Sequence, residues 1–204
     1  MSKYFYFEND YVKYLESNIN ENIDLYLAYC GIEYCYPSHS FGPAIREQYL
    51  LHYILDGKGI FKVNNKTYNL TKGQGFLINP NELTYYEADK YEPWKYIWVS
   101  FNGIKAKEYL KYMNLDSNNI IFKCDYSDDL EKCVLDMLSI KSISYADELK
   151  LQSLLYLFLS ILARDYNKNG HNNSSFEKIY IKKSIEFIYN NFSHNIKITD
   201  IANY

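Results

Sequence analysis

The chain has 204 residues, 48% hydrophobic and 23% charged, which is enough for one substantial core and a smaller second element. Its net charge is −3, and Arg46 and Arg164 are its only arginines, so no basic face suited to nucleic acid is evident. The N-terminus lacks the pattern of a signal peptide and no apolar run reaches the length of a membrane span, so we expect a cytoplasmic protein.

The N-terminal half is predicted to be β-rich. Residues 1–20 contain many aromatic side chains and are interpreted as an arm that docks on the following domain when ligand is bound. From about Tyr26 to Phe101, Gly, Pro and Asn-Asn separate short apolar runs, which is typical of an all-β barrel or sandwich. Asn64-Asn65, between two such runs, predicts a hairpin because Asn tolerates the positive φ of two-residue turns.

After Gly103 the apolar spacing becomes helical. One helix is predicted around Ala106–Met113 and another around Leu130–Leu138. A third, at 147–166, has an apolar surface too broad for one stripe. It is either a central core helix or a helix shared with a dimer partner.

The C-terminal residues predict a linker and a short helical tail. Residues 167–176 are polar and free of long apolar runs, whereas Ile181, Ile185, Ile188 and Phe192 share one helical face. An Asn/His turn and I-T-D-I-A follow, with Thr199 suited to cap a second helix. We interpret 177–204 as the truncated start of a helix-turn-helix domain. Since the groove-reading helix would come later, no DNA-binding residue is expected here.

Several motifs together carry a family resemblance. The segment Tyr53–Pro80 has the order strand, G-K-G, hairpin, K-G-Q-G, strand and Pro, which resembles the cupin barrel. With H-S-F-G-P, H-Y-I-L-D-G-K-G, N-P-N-E-L-T-Y-Y and P-W-K-Y-I-W-V-S-F, the region 20–166 is similar to the sensor domain of AraC/XylS-family transcription regulators of the sugar-responsive branch. The resemblance implies a mainly β plus α fold: a cupin-like β-barrel (double-stranded β-helix) at 21–103 and a helical dimerisation segment at 104–166. It also implies a homodimer that binds DNA only as the full-length protein.

The resemblance and the strand alternation nominate effector contacts. Tyr96 and Trp98 lie two apart on one strand, and the family's corresponding strand contacts the effector. Asp56 stands where the arabinose-responsive relative places an Arg; an inward carboxylate that binds hydroxyls and an outward hairpin residue are both open readings. Tyr96 and Trp98 have the alternative of being ordinary core aromatics. For His52 the alternative is a core or surface histidine without a ligand, and for Arg46 it is a surface ion pair. The candidate ligand-binding residues are His39, Arg46, His52, Asp56, Tyr86, Tyr96 and Trp98.

Enzyme chemistry has little support in the sequence. The His-x-His pair, Glu and later His of cupin metalloenzymes are missing, since Ser40 and Phe41 follow His39 and the later position holds Thr84 or Tyr85. The four cysteines form no C-x-x-C pair. We therefore predict no catalysis, metal or cofactor, and a small-molecule effector, a mono- or oligosaccharide. A metal-dependent cupin enzyme and a ligandless dimerisation module are the alternatives.

Overall fold

The computed structural model describes residues 4–17, 23–140, 144–168 and 173–202. The chain forms two compact units, Met1–Tyr166 and Asn167–Tyr204, and the last helix of the first unit runs two residues past their boundary. In chain order the elements are β1 (Tyr4–Glu8), β2 (Val12–Ser17), β3 (Tyr26–Tyr34), β4 (Ser40–Ile45), β5 (Tyr49–Asp56), β6 (Lys58–Val63), β7 (Lys66–Thr71), β8 (Gln74–Ile78), β9 (Leu83–Ala88), β10 (Lys95–Asn102), α1 (Ala106–Tyr112), β11 (Ile121–Lys123), α2 (Ser127–Leu138), α3 (Tyr145–Lys168), α4 (Asn173–Asn191) and α5 (Ile198–Ala202).

The strands form two antiparallel sheets. A seven-stranded sheet has the order β1-β2-β3-β10-β5-β8-β11, and a four-stranded sheet has the order β4-β9-β6-β7. Between β3 and β10 the chain changes sheet at every step except the β6–β7 hairpin, and both sheets bury their inner faces in one core. The arrangement confirms the predicted cupin-like β fold with added helices.

The predicted hairpin is confirmed in register. Val63 pairs with Lys66, and the intervening Asn64 and Asn65 have φ of 50° and 59°. These left-handed conformations are those that a two-residue turn requires, and Asn adopts them at lower cost than most residues.

The helices after the barrel also follow the predicted spacing. Helix α2 buries a stripe at steps of three and four residues and packs on β3 and β10, with the stripe formed by Leu130, Cys133, Val134, Met137 and Leu138. The segment 104–166 was expected to be helical throughout, but it also contains β11, which pairs with β8. Three residues are too few to show a strand period, so only the tertiary pairing reveals this strand.

Helix α3 has one face in the core and another that is exposed. Leu155 and Phe158 are fully buried in the core, and Arg164 joins α3 to α2 by a 2.8 Å contact with Asp129. Leu149, however, is 73% exposed, and Tyr156 and Leu157 are exposed as well. One face of the helix therefore belongs to the core, while part of its broad apolar surface remains uncovered within the chain.

The N-terminal arm is part of the barrel's sheet in this structure. Strands β1 and β2 form a hairpin, and β2 pairs with β3 from Val12↔Glu33 to Glu16↔Tyr29. The predicted boundary between an arm at 1–20 and a barrel at 21–103 therefore does not separate two structural layers. Residues 18–22 lie outside the described residues.

The second unit contains α4 and α5. Helix α4 is the predicted amphipathic helix, and the apolar side chains of its face, Ile181, Ile185 and Ile188, are exposed. Helix α5 begins before Thr199, and the Asp200 carboxylate accepts the Lys197 N–H at 2.9 Å, so the prediction of a Thr199 cap is wrong. The predicted linker 167–176 is largely helical; of it, only 169–172 fall outside the described residues.

Candidate functional site

A cavity of about 370 Å³ lies between the inner faces of the two sheets. Its volume is within the range of small-molecule sites, about 300–1,000 Å³. The lining comes from β2, β3, β5 and β10 of the large sheet, from β4 and β9 of the small sheet, and from the segments flanking β4. It consists of Val12, Tyr14, Glu16, Tyr29, Glu33, His39, Phe41, Arg46, Leu50, His52, Tyr86, Tyr96 and Trp98.

Six of the seven predicted contacts line this cavity: His39, Arg46, His52, Tyr86, Tyr96 and Trp98. The register explains why three of them meet. Strand β10 lies between β3 and β5, so Trp98 pairs with His52 on one side and Tyr96 with Glu33 on the other. Cross-strand partners present their side chains on one face of a sheet.

Asp56 does not line the cavity. Its carboxylate is 74% exposed and lies 3.7 Å from Lys72 Nζ, as expected of the outward hairpin residue. The pairing of β5 with β10 shifts register between Lys95 and Tyr96, leaving an extra residue in β5 between Ile54 and Asp56. Because such a bulge reverses the alternation of side chains, Asp56 no longer shares the face of His52. Asp56 therefore lies outside the candidate site.

Aromatic rings form much of the cavity wall. The rings of Tyr96 and Trp98 are 5.6 Å apart, and Phe41 stacks on Tyr86 at 5.6 Å. The indole of Trp98 occupies the space above Gly31, where a Cβ atom would lie only 2.2 Å from Trp98 Cζ2. Gly31 therefore allows the indole to lie against the strand and to present a ring to the cavity.

The polar groups of the wall separate into an acidic and a basic part. Glu33 accepts a hydrogen bond from the Tyr96 hydroxyl at 2.6 Å and lies 3.1 Å from His39 Nε2. Arg46 donates to the Tyr86 hydroxyl at 3.4 Å, and its Cζ lies 4.3 Å from the centre of the Phe41 ring. Arg46 Nη1 is buried and has no hydrogen-bond partner among the described residues. A buried cationic donor without a partner favours a ligand that accepts hydrogen bonds.

Burial sets the charge states of the ring side chains. It raises the pKa of Tyr86, an effect that the Arg46 guanidinium opposes, and it raises the pKa of Tyr96 well above its usual range. Burial and, secondarily, the Arg46 charge hold the pKa of His52 well below its usual value. Both phenols are therefore neutral at physiological pH, and His52 is a neutral imidazole.

The sequence profile of the AraC-like ligand binding domain matches residues 26–159. The chain belongs to this family. Membership confirms the prediction of an effector-sensing domain of a transcription regulator, and the fold expected of it agrees with the observed barrel.

Three curated relatives of this AraC-like chain are operon regulators. The Msm operon regulatory protein of Streptococcus mutans is 33% identical over 93% of this chain and 68% of its own. The lactose operon transcription activator of Staphylococcus xylosus is 25% identical over 88% and 65%, and the raffinose operon transcriptional regulatory protein of Pediococcus pentosaceus is 26% identical over 91% and 68%. The chain thus spans about two thirds of the length of these relatives. Because they are regulators, the enzyme alternative is not favoured.

Among solved structures, a cupin 2 conserved barrel domain protein from Salinispora arenicola is 11% identical to the AraC-like chain, with a TM-score of 0.35. It covers 44% of this chain and 72% of its own. A similarity this low carries no functional information.

Several residues that line the cavity of the AraC-like domain were not predicted from the sequence. Glu33, Tyr29 and Phe41 come from β3 and β4, and Tyr14 and Glu16 come from the arm. Nothing in the local pattern separates Glu33 from an outward strand residue, since it stands between Ile32 and Tyr34 in an apolar run. The strand pairing that places it beside Tyr96 is the only signal, and it joins segments 63 residues apart.

Two further properties bear on the chemistry available to the domain. Within the described part of the chain, no helix combines the length and apolar character of a membrane span. One group of His, Cys and acidic side chains among these residues, Glu33, Cys35 and His39, is close enough to share a metal ion.

Proposed function

We propose that this AraC-like domain binds a mono- or oligosaccharide in the cavity and thereby controls a cytoplasmic regulator of carbohydrate-utilisation genes. The observation that carries the proposal is that aromatic rings and buried hydrogen-bonding groups line one cavity. Saccharides present both hydroxyl groups and apolar C–H faces, so they require both kinds of surface. The names of the lactose and raffinose operon regulators support the same class of effector.

Each part of the wall has a role in this proposal. Trp98 supplies a flat surface for a sugar face, Glu33 accepts hydrogen bonds from hydroxyls, and Arg46 donates to ring or hydroxyl oxygens. Hydrogen bonds to charged groups contribute about 1.5–3 kcal/mol each, which is enough to distinguish sugars that differ by one hydroxyl.

The arm gives the proposed ligand a route to the rest of the regulator. Because Tyr14 and Glu16 of β2 form part of the wall, a saccharide that touches them binds more tightly when β2 is paired with β3. Binding of this kind stabilises the paired arrangement by the difference in affinity, as any ligand-driven change requires. DNA binding by the full-length regulator would respond to that difference.

A thermal-shift panel of mono- and oligosaccharides tests the proposal. We expect at least one saccharide to raise the melting temperature of the wild type, because a ligand that binds only the native state stabilises it. Trp98→Ala should weaken the response by removing the sugar platform, and Tyr14→Ala should weaken it by removing an arm contact. If the wild type responds and Trp98→Ala responds equally, the platform role of Trp98 is wrong. If no saccharide acts, the proposal fails in favour of a ligandless module.

We also propose that the AraC-like domain forms a homodimer through the uncovered side of α3. Leu149 and Leu157, two of its exposed apolar side chains, provide an apolar surface of the kind found in the centres of homodimer interfaces. Leu149→Glu should shift the protein toward monomer in sedimentation equilibrium. Leu83→Glu, at an equally apolar exposed site on β9, should leave the association state unchanged. A monomeric wild type would contradict the proposal.

A further inference from the structure

Three different metal-binding atoms converge where β3 ends. The donor atoms of Glu33, Cys35 and His39 all lie within 4.8 Å of one another, and no other group among the described His, Cys, Asp and Glu residues does so. Glu33 and Cys35 are two residues apart in extended chain, so they share a side of the strand. A turn over Tyr36–His39 then returns the imidazole toward them, with the His39 N–H donating to the Tyr36 carbonyl at 3.0 Å.

The backbone around these side chains is held on both sides. The Cys35 N–H donates to the Trp94 carbonyl at 3.2 Å, and the His39 carbonyl accepts the Ala88 N–H at 2.8 Å. The Tyr96 hydroxyl also orients the Glu33 carboxylate through its 2.6 Å hydrogen bond. Partners of this kind fix the ligands of metal sites in position. These hydrogen bonds therefore hold Glu33, Cys35 and His39 in position relative to one another.

An ion pair explains only part of the group. His39 Nε2 lies 3.1 Å from a Glu33 carboxylate oxygen, which is close enough for an ion pair. An ion pair between these two residues does not account for the Cys35 thiol beside them. Cys35 is only 9% exposed, and the Glu33 side chain is 16% exposed. A carboxylate this far from water beside an imidazole and a thiol is a favourable environment for a cation.

We propose that Glu33, Cys35 and His39 bind a divalent transition-metal ion of the Zn²⁺ class, with a coordination position open to the effector cavity. Thiolate and imidazole favour this class over Mg²⁺ and Ca²⁺, which take oxygen ligands. In a tetrahedral zinc site with bonds of about 2.0–2.3 Å, the ligand atoms lie about 3.3–3.8 Å apart. Side-chain movements of about 1 Å would bring the three donor atoms to these separations. As the metal–sulfur bond forms, the thiol S–H bond breaks and its proton passes to solvent.

The position of the site links it to the cavity. Glu33 and His39 line the cavity, whereas Cys35 is not among its lining residues. Three protein ligands leave a fourth position for water or for a ligand hydroxyl, as in open zinc sites. The site does not require the effector to be a saccharide, and metal binding is measurable without any effector.

Cobalt titration of the chelator-treated, purified chain tests the proposal. We expect one equivalent of Co²⁺ to bind with the near-ultraviolet absorption of a thiolate–cobalt bond, and Zn²⁺ to displace it. Cys35→Ser should remove this absorption and weaken binding at least about 100-fold, while Tyr96→Phe, which removes the hydroxyl that orients Glu33, should weaken it about 10-fold. Cys124→Ser, another buried free thiol, is the matched control and should behave as wild type.

The outcomes decide the proposal in either direction. If Cys35→Ser alters the circular dichroism of the fold, His39→Gln replaces it as the test, since it should weaken binding yet keep the thiolate absorption. Equal cobalt absorption in wild type and Cys35→Ser, or no uptake of Co²⁺ or Zn²⁺ by the wild type, would overturn the proposal.

Discussion

Phe76→Ala should lower the free energy of unfolding by about 3–5 kcal/mol. The Phe76 ring is fully buried on β8, where it stacks on Phe61 at 4.3 Å and on His52 at 4.5 Å. Truncation removes both contacts and leaves a cavity. The strands β6 and β5, which carry Phe61 and His52, cannot move to fill it, because neighbouring strands fix their positions. Denaturant unfolding of the wild type and the variant measures the loss.

The matched control for Phe76 is Phe7→Ala. Phe7 is an exposed ring on β1, so its truncation should cost less than about 1 kcal/mol. Equal losses for the two variants would show that Phe76 does not belong to the core. Since Phe76 stacks on His52, which lines the cavity, the variant should also disturb the candidate site.

The second large effect is a loss of stability in acid that depends on His52. Its imidazole is 1% exposed, with Nδ1 buried and without a hydrogen-bond partner among the described residues. Burial, with a contribution from the Arg46 charge, lowers its pKa well below the unfolded value of about 6.5. Below pH 6.5, therefore, His52 becomes protonated in the unfolded chain before it does so in the folded chain. The contribution of His52 to the free energy of unfolding is fully present above pH 6.5. Below that pH it decreases by about 1.4 kcal/mol per pH unit.

Comparison with His52→Gln isolates this contribution from the carboxylates that also titrate in acid. Between pH 7.5 and 4.5 the wild type should lose more stability than His52→Gln, as measured by denaturant unfolding at each pH. His194→Gln, which changes an exposed histidine, should follow the wild type. A pH-independent difference between wild type and His52→Gln would mean that the imidazole is solvated or already charged in the folded protein.

Elements that depend on local pattern were predictable. The hairpin at Asn64-Asn65 follows from two residues that tolerate positive φ, and α2 follows from apolar positions at steps of three and four. The Thr199 cap failed although the helix start was placed within two residues, because Asp200 takes the capping role instead. Ends of helices depend on one or two hydrogen bonds, so several nearby polar residues compete for them.

Strand alternation predicted part of the candidate site, where it continues without interruption. Tyr96, Trp98 and His52 share a face because β5 and β10 pair in regular register there. The same alternation fails at Asp56, since a one-residue shift in pairing turns every following side chain to the other face. A bulge leaves no mark in the apolar pattern of β5, so the sequence could not decide between the inward and the outward reading of Asp56.

The residue pattern alone was sufficient for the family, the β-rich fold with its helical additions, and six residues of the cavity wall, since motifs and periodicity are local properties of the chain. Only the tertiary structure brought β2 into that wall and set Glu33 beside Tyr96, His39 and Cys35. The turn after β3 brings His39 to Glu33 and Cys35, whereas the contacts of β2 and of Tyr96 join segments distant in sequence and depend on sheet order and register. Neither is encoded in the spacing of residues within any one strand.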